Sequence, residues 1–515
     1  MAKTIKIGTR TSALAMAQTR EVASLLKSKN PTLNIEIVGV KNVTGDVDKK
    51  TPLQALGTIG VFTKEIDEMV LNGDVDIAVH SLKDIGTQRP GTLQTIAIPE
   101  RVQPHDCILF NDDILDKIKH DEEIIIGASS PRRIELVPPF LEKALPQLGT
   151  KKPKIKVVPI RGNVPSRIEK LKGQRELNVT DVDHLDGICI AFAGVSRLFN
   201  DENSRDEMQT LLKGLRWMIL PLSQCPGAPG QGALAIEALE GRDDLRDLLL
   251  SINKRAVQKD VLLERNILIE HGGGCHQAFG VTAIKMGITD DRLLVIKGKD
   301  KQGNDISENR WLSHCEGISL DKLWNGHDWR NDLFETDYIE HPPIKGDAVF
   351  VSNARALDDG NTNLDDHQRI WTAGVKSWYK LAAKGYWVEG CADSMGYDLL
   401  IRTLLNEPVL GLPTCDAWNV LTHADACEHW EHTNNNVIST YKLQEKDCQK
   451  AIDSLKQAEN IFWSSYSQYQ ALKEFAPANA THICGPGKTA ELLRKEGLKN
   501  LVITPSLEML KEISK

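Results

Sequence analysis

Short runs of β-branched and apolar residues alternate with longer amphipathic segments through most of this chain. That alternation restricts the fold more than any single motif. "TIKIGTR", "NIEIVGV", "VDIAVHS" and "LQTIAIP" read as strands, and "SALAMAQTREVASLLKSK" and "VFTKEIDEMVLNG" carry helical periodicity between them. Strands and helices in turn imply α/β layers with largely parallel sheets. The pattern resumes with "EEIIIGASS", "KIKVVPIRG" and "DGICIAFAG". "SQCPGAPGQGALAIEALE" is a Pro/Gly-rich crossing followed by a strand, and "LLVIKGKDKQGNDISENRW" reads as an antiparallel hairpin in a smaller α+β unit.

A length of 515 residues, at roughly 100–200 per domain, predicts three or four domains. Hydrophobic residues at 41% and charged residues at 26% fit an ordinary globular protein. A net charge of −8 argues against a general nucleic-acid binder but leaves room for a local basic cleft. No apolar run is long enough to span a membrane, and "MAKTIKIGTR" has neither the apolar core nor the cleavage site of a secretory signal. Ten cysteines without a CxxC pair fit reduced thiols. The expectation is a cytoplasmic protein with no nucleic-acid or membrane partner. Oligomeric state is not set by the sequence, and a monomer is compatible with it.

One cysteine stands apart. "IEHGGGCHQAFG" leads three glycines into Cys275, so bulk is kept away from one thiol. Such a loop suits a nucleophile, a metal ligand, an anchor for a bound group, or simply a small residue in a tight turn. Arginines and small hydroxyl residues also gather at predicted strand ends: Arg10 and Ser12 in "GTRTS", Ser129, Ser130, Arg132 and Arg133 in "GASSPRR", Arg161 and Arg167 in "IRGNVPSR", and Arg197 in "AGVSRL". Loops after parallel strands meet at one sheet edge, and arginines arriving there imply a polyanionic ligand. Each guanidinium–carboxylate bond is worth ~1.5–3 kcal/mol. In "DIAVHSLKDIG" an apolar strand ends in Lys83 and Asp84, where a carboxylate can stabilise a developing cation and pass a proton.

Toward the C-terminus the sequence repeats itself at an offset of 112 residues. "VFVSNARAL" pairs with "IFWSSYSQY", and "GVKSWYKLAAKG" with "PGKTAELLRKEG". Two similar strand–loop–helix units suggest two lobes with a cleft between them. "CGPGKTAELL" has the tail of a P-loop, but His482 stands where the first glycine is required. "HADACEHWEH" offers His423, Cys427, His429 and His432 at a spacing that matches no zinc pattern, so no metal is expected.

Taken together, "GTRTSALAMAQT", "GDVDKKTPLQALGTIGVFTKEID", "DIAVHSLKDI", "GASSPRR", "IRGNVPSR", "PGQGALAIE" and "HGGGCHQAFG" resemble the porphobilinogen deaminase (hydroxymethylbilane synthase) family over residues 1–310. The resemblance implies two periplasmic-binding-protein-like α/β domains, 1–103 with 227–250 and 104–226, plus a small α+β domain, 251–312. It implies a dipyrromethane cofactor held by Cys275 through a thioether, and porphobilinogen as the substrate added to it. Asp84 matches the family's catalytic aspartate, assisted by Lys83. Lys83, Ser129, Ser130, Arg132, Arg133 and Arg167 match the cofactor side. Arg10, Ser12, Gln18, Phe62, Arg161, Arg167, Arg197 and Gln231 match the substrate side. Ala55 and Ile59 stand where the family's lid usually carries lysine.

The remainder, a junction at 313–344 and a two-lobed α/β module at 345–515, resembles uroporphyrinogen-III synthase through "DAVFVSNARAL", "GVKSWYKLAAKGYWVE", "STYKL", "IFWSSYSQYQAL", "CGPGKTAELLRKEGL" and "TPSLEMLKEI". Tyr441, Ser464 and Thr489 match positions near that family's cleft. The implied enzyme is bifunctional: it makes hydroxymethylbilane and cyclises it. The alternative is a deaminase with a C-terminal module that only binds or supports.

Overall fold

A computed structural model describes residues 4–40, 63–177, 179, 182–273, 277–312, 320–358, 360, 362–433 and 435–513. Its first sheet orders the strands Asn34–Val40, Thr4–Arg10, Ile77–Ser81, Leu234–Leu239 and Leu93–Ala97. Thr4–Arg10 runs parallel to both neighbours, whereas Leu234–Leu239 returns antiparallel. Ile5 and Ile7 alternate inward and are fully buried, and the helix Ala13–Lys29 covers them with Val22 and Leu26. Ser12 caps that helix by accepting from the Ala15 amide.

The second sheet orders Lys154–Val158, Glu123–Gly127, Gly187–Ala191, Asp106–Phe110 and Arg216–Ile219. Its central strands are continuous apolar runs because both faces are covered. The chain crosses between these sheets at 98–105 and again at 220–233. A third, antiparallel sheet of Ala278–Lys285, Arg292–Lys299 and Asp305–Leu312 packs on the helix Arg255–Glu270. One fully buried carboxylate ties these parts together. Glu264 accepts from Arg101 at 2.8 and 2.9 Å, from the Gly230 amide at 2.7 Å and from the Ala283 amide at 3.0 Å.

Beyond residue 320 the chain builds two further sheets. The larger orders Phe334–Tyr338, Asn436–Glu445, Trp418–His423, Ala348–Val351, Arg369–Thr372 and Val388–Cys391. The smaller orders Leu323–Asn325, Asn460–Trp463, Thr481–Cys484 and Leu501–Ile503. The 112-residue repeat lies on equivalent adjacent strands: Ala348–Val351 beside Arg369–Thr372, and Asn460–Trp463 beside Thr481–Cys484.

The expected junction at 313–344 is not a linker where it is described. Leu323–Asn325 pairs with Asn460–Trp463, and Phe334–Tyr338 pairs with Asn436–Glu445. The helix Gly326–Leu333 links the two sheets. A three-residue strand followed by the polar helix "GHDWRNDL" leaves no periodic signal, and Trp324 anchors the segment by burial.

The second and fourth sheets share one core. Trp378, Leu381, Ala382 and Val388 pack with Val137, Phe140, Leu141 and Ala144. Trp378 donates to the Ala144 carbonyl at 3.1 Å, Trp387 donates to the Trp217 carbonyl at 3.1 Å, and the Gln147 amide donates to the Ala382 carbonyl at 2.7 Å. Asp393 accepts from the Ser223 amide at 2.8 Å and from its hydroxyl. Emptying this interface should be costly. Trp378→Ala should remove about 3–5 kcal/mol by opening a cavity. Calorimetry should show a melting temperature several degrees lower; an unchanged melting temperature would show that the two units do not share a core.

Candidate active site

The loops that follow strands of the first two sheets converge at the crossings. From the first sheet, Arg10 ends the opening strand and Ser12 begins the next helix. Gln18 on that helix is buried and donates to Ser81 Oγ at 2.8 Å. Ser81 ends the strand that leads into a single 3-10 turn, Leu82–Asp84. Arg10, Gln18, Ser81 and Asp84 line one small pocket. The helix Arg255–Glu270 braces this turn from behind, because Arg265 donates to the carbonyls of Leu82, Ile85 and Gly86.

From the second sheet come Ser129, which donates to the Ile160 carbonyl, and Ser130, at the N-cap of the helix Pro131–Ala144. Pro131 opens that helix, where a missing N–H costs nothing. Arg132 and Arg133 on its first turn are buried, and both grip Asp106, at 2.7 and 2.8 Å. Arg132 also donates to the Pro226 carbonyl at 2.8 Å. The paired guanidiniums hold the Asp106 carboxyl far below the usual carboxylate range despite its burial. Gln231 donates to Asp106 at 2.9 Å and accepts from Lys83 at 3.3 Å, so one polar network joins both domains.

Lys83 is half-buried, and enclosure of its ammonium lowers its pKa to about 8. Arg167 is half-buried as well; burial, and then the charge of Arg133, lowers its pKa to about 10. It donates to the Gly162 carbonyl at 2.8 Å and has no carboxylate partner among the described residues. Arg161 precedes Gly162, whose φ of 124° sets the turn. The Nε atoms of Arg132 and Arg133 are buried and have no hydrogen-bond partner. Cations thus outnumber the two carboxylates, Asp84 and Asp106, around this point, and orphaned donors remain. That donor set fits a ligand studded with carboxylates.

The site residues do not all play open roles. Arg197, expected beside the substrate, is buried and donates to Glu21 at 2.7 Å and to the Gly232 carbonyl at 2.9 Å. With Arg20 on Asp201, it staples the first domain's helix to the second domain. Phe62, Cys275, Ala55 and Ile59 lie outside the described residues. The flanks of the cysteine loop are described. Gly272 and Gly273 have φ of 86° and 67°, and a side chain at Gly273 would meet Thr87 Oγ1 at 3.0 Å. A side chain at Gly280 would strike the Pro226 carbonyl and Arg132 Cδ. The described flanks of the loop therefore lie beside Thr87, three residues past Asp84, and beside Arg132.

Asp106, Glu264 and Arg265 were not singled out by sequence reasoning. The acid that opens the apolar strand "DCILF" was the one available signal. A buried cluster of Asp67, His80 and Glu237 has metal-like spacing, but Arg89 occupies it at 2.7 Å from Asp67 and 2.6 Å from Glu237.

Residues 5–247 match the family model "Porphobilinogen deaminase, dipyromethane cofactor binding domain". A porphobilinogen deaminase of Syntrophomonas wolfei is 38% identical over 275 residues, which is 53% of this chain and 78% of that protein. The chain belongs to the porphobilinogen deaminase family. A probable porphobilinogen deaminase of Methanocaldococcus jannaschii is 37% identical over 323 residues, 62% of this chain and 95% of that relative. The deaminase acts on porphobilinogen in tetrapyrrole biosynthesis, and its cofactor is dipyrromethane. Among the described residues no helix is long and apolar enough to cross a membrane.

The enclosed amine of Lys83 predicts a pH effect. A base whose folded pKa is lowered binds fewer protons than the unfolded chain between about 8 and its ordinary value near 10.5. Stability from this group therefore rises with pH across that window. Denaturant unfolding of Cys275→Ser and of Cys275→Ser/Lys83→Met should show the lysine form gaining relative to the methionine form between pH 7.5 and 10. A constant difference would mean that Lys83 is as well solvated as a surface lysine.

Proposed function

We propose that Cys275 anchors the dipyrromethane and that Asp84 is the catalytic carboxylate. The observation that carries this reading is the convergence of the Asp84 turn, the Arg132–Arg133 pair and both ends of the cysteine loop at the domain crossing. Ser129, Ser130, Arg132, Arg133 and Arg167 would hold the cofactor's carboxylates from the second-domain side, and Lys83 from the first. When bound, dipyrromethane would supply the free pyrrole position from which the chain is extended.

Arg10, Ser12, Gln18, Arg161 and Gln231 orient the incoming porphobilinogen, together with Phe62. Arg197 acts through the staple it makes with Glu21, as a positioning residue. Asp84 faces the substrate's aminomethyl end. Its negative charge favours departure of ammonia, because positive charge builds on the pyrrole as the C–N bond breaks. The same carboxylate can take the pyrrole N–H as a hydrogen bond and carry a proton away. After four additions, water would have to cleave the bond between the primer and the first added ring, supplying the hydroxyl of the released hydroxymethylbilane. Asp84→Asn keeps the shape and removes the charge. The rate of porphobilinogen use should fall by at least about a hundredfold, in the range seen for a positioned acid–base group. An unimpaired rate would remove Asp84 from the mechanism.

The two C-terminal sheets suit the following step, closure of hydroxymethylbilane to uroporphyrinogen III. Supporting it are the internal repeat, the two chain crossings between the sheets, and the places of Tyr441 in the strand Asn436–Glu445, Ser464 after Asn460–Trp463 and Thr489 in the first turn of the helix Lys488–Lys495. Tyr441 is buried against the His423 ring, 5.7 Å between centroids. Ser464 is held by Gln468 through both its amide and its hydroxyl. Such a cleft can select the attacked ring carbon by fixing the chain's conformation. Porphobilinogen fed to the full-length protein should yield mainly the type III isomer after oxidation and chromatography. Type I alone would leave the C-terminal sheets as a structural or binding unit.

A further inference from the structure

At the carboxyl ends of the two C-terminal sheets, basic and aromatic groups come from both sides, and glutamates beside them are engaged, Glu491 by Lys488 at 3.1 Å and Glu496 by the Tyr466 hydroxyl at 2.5 Å. The larger sheet contributes Arg355 after the strand Ala348–Val351, and His423 and Tyr441 from its neighbours. The smaller sheet contributes Arg330, on the helix that follows Leu323–Asn325, and Ser467 after Asn460–Trp463. The two sides touch: Ser467 Oγ lies 3.5 Å from His423 Nε2, His429 packs 5.1 Å from Tyr466, and Lys488 sits 5.5 Å over Trp430.

Arg330 and Arg355 are each half-buried. Among the described residues, neither guanidinium has a carboxylate within 4.0 Å. Acids nearby are taken or turned elsewhere: Asp358 pairs with Lys384, and Asp425 stands 3.7 Å from His423. Burial, then the charge of Arg355, pushes Arg330 below the usual guanidinium range. His423 Nδ1 is also buried with no hydrogen-bond partner. Two like charges, drawn partly out of water from opposite sheets, are unfavourable alone. A carboxylate between them reverses the sign, because each guanidinium presents a planar fork.

We propose that Arg330 and Arg355 form a carboxylate receptor across this cleft, and that it grips an acetate or propionate group of the linear tetrapyrrole. Arg330 lies within the segment that carries no sequence signal for this role. The inference rests on the reading of these sheets as the cyclising unit, and it assigns the contact that would fix the chain before closure.

Arg330→Leu tests it in the full-length holoenzyme, with Arg330→Lys as the conservative variant. Two readouts apply: binding of uroporphyrin I, an octacarboxylate probe, by quenching of tryptophan fluorescence, and the type III fraction formed from porphobilinogen. Porphobilinogen consumption reports that the chain is folded. Arg330→Leu should weaken probe binding about ten- to hundredfold, the loss expected for one charge-assisted contact, and lower the type III fraction. Arg330→Lys should fall between, since a point charge replaces the fork. Probe affinity within about twofold of wild type, with the type III fraction kept, would overturn the receptor. If wild type makes only type I while Arg330→Leu still loses the probe, the receptor stands and the cyclisation reading fails.

Discussion

Asp106 is the charge around which the deaminase site is arranged. It is fully buried, so it needs its two guanidiniums; removing one partner from such a group typically costs about 3–5 kcal/mol. Its placement fixes more than itself. Arg132 and Arg133 cannot swing into solvent, and the helix they open is held against the Pro226 carbonyl. Gln231 extends the network to Lys83, and so to the turn that carries Asp84. The two domains therefore present their charges in one fixed relation. Asp84 stands on a short turn braced by Arg265 rather than on a free loop.

Much of this was legible in the sequence. Strand runs such as "TIKIGTR" and "EIIIG" are strands because their apolar side chains have a sheet face to fill. What was not legible depends on partners distant in sequence. Arg197 reads like any strand-end arginine; only the packing of two helices reveals Glu21 opposite it. Asp106 and Glu264 look like surface acids until the fold encloses them. The segment 323–338 carries too few apolar residues to announce two strands, yet each pairs with a strand more than a hundred residues away.

The C-terminal sheets are not appended on a tether. Trp378 and Trp387 enter the second domain's core, and Asp393 caps the crossing at Ser223.

The central claim is that the network around Asp106 serves a carboxylate-rich group covalently held by Cys275. The intact mass of the purified chain tests it most directly. The wild-type protein should exceed its sequence mass by a dipyrromethane, and Cys275→Ser should return to the bare chain and lose activity. A wild-type chain at its sequence mass with full turnover, or a Cys275→Ser chain that still carries the added mass, would contradict it.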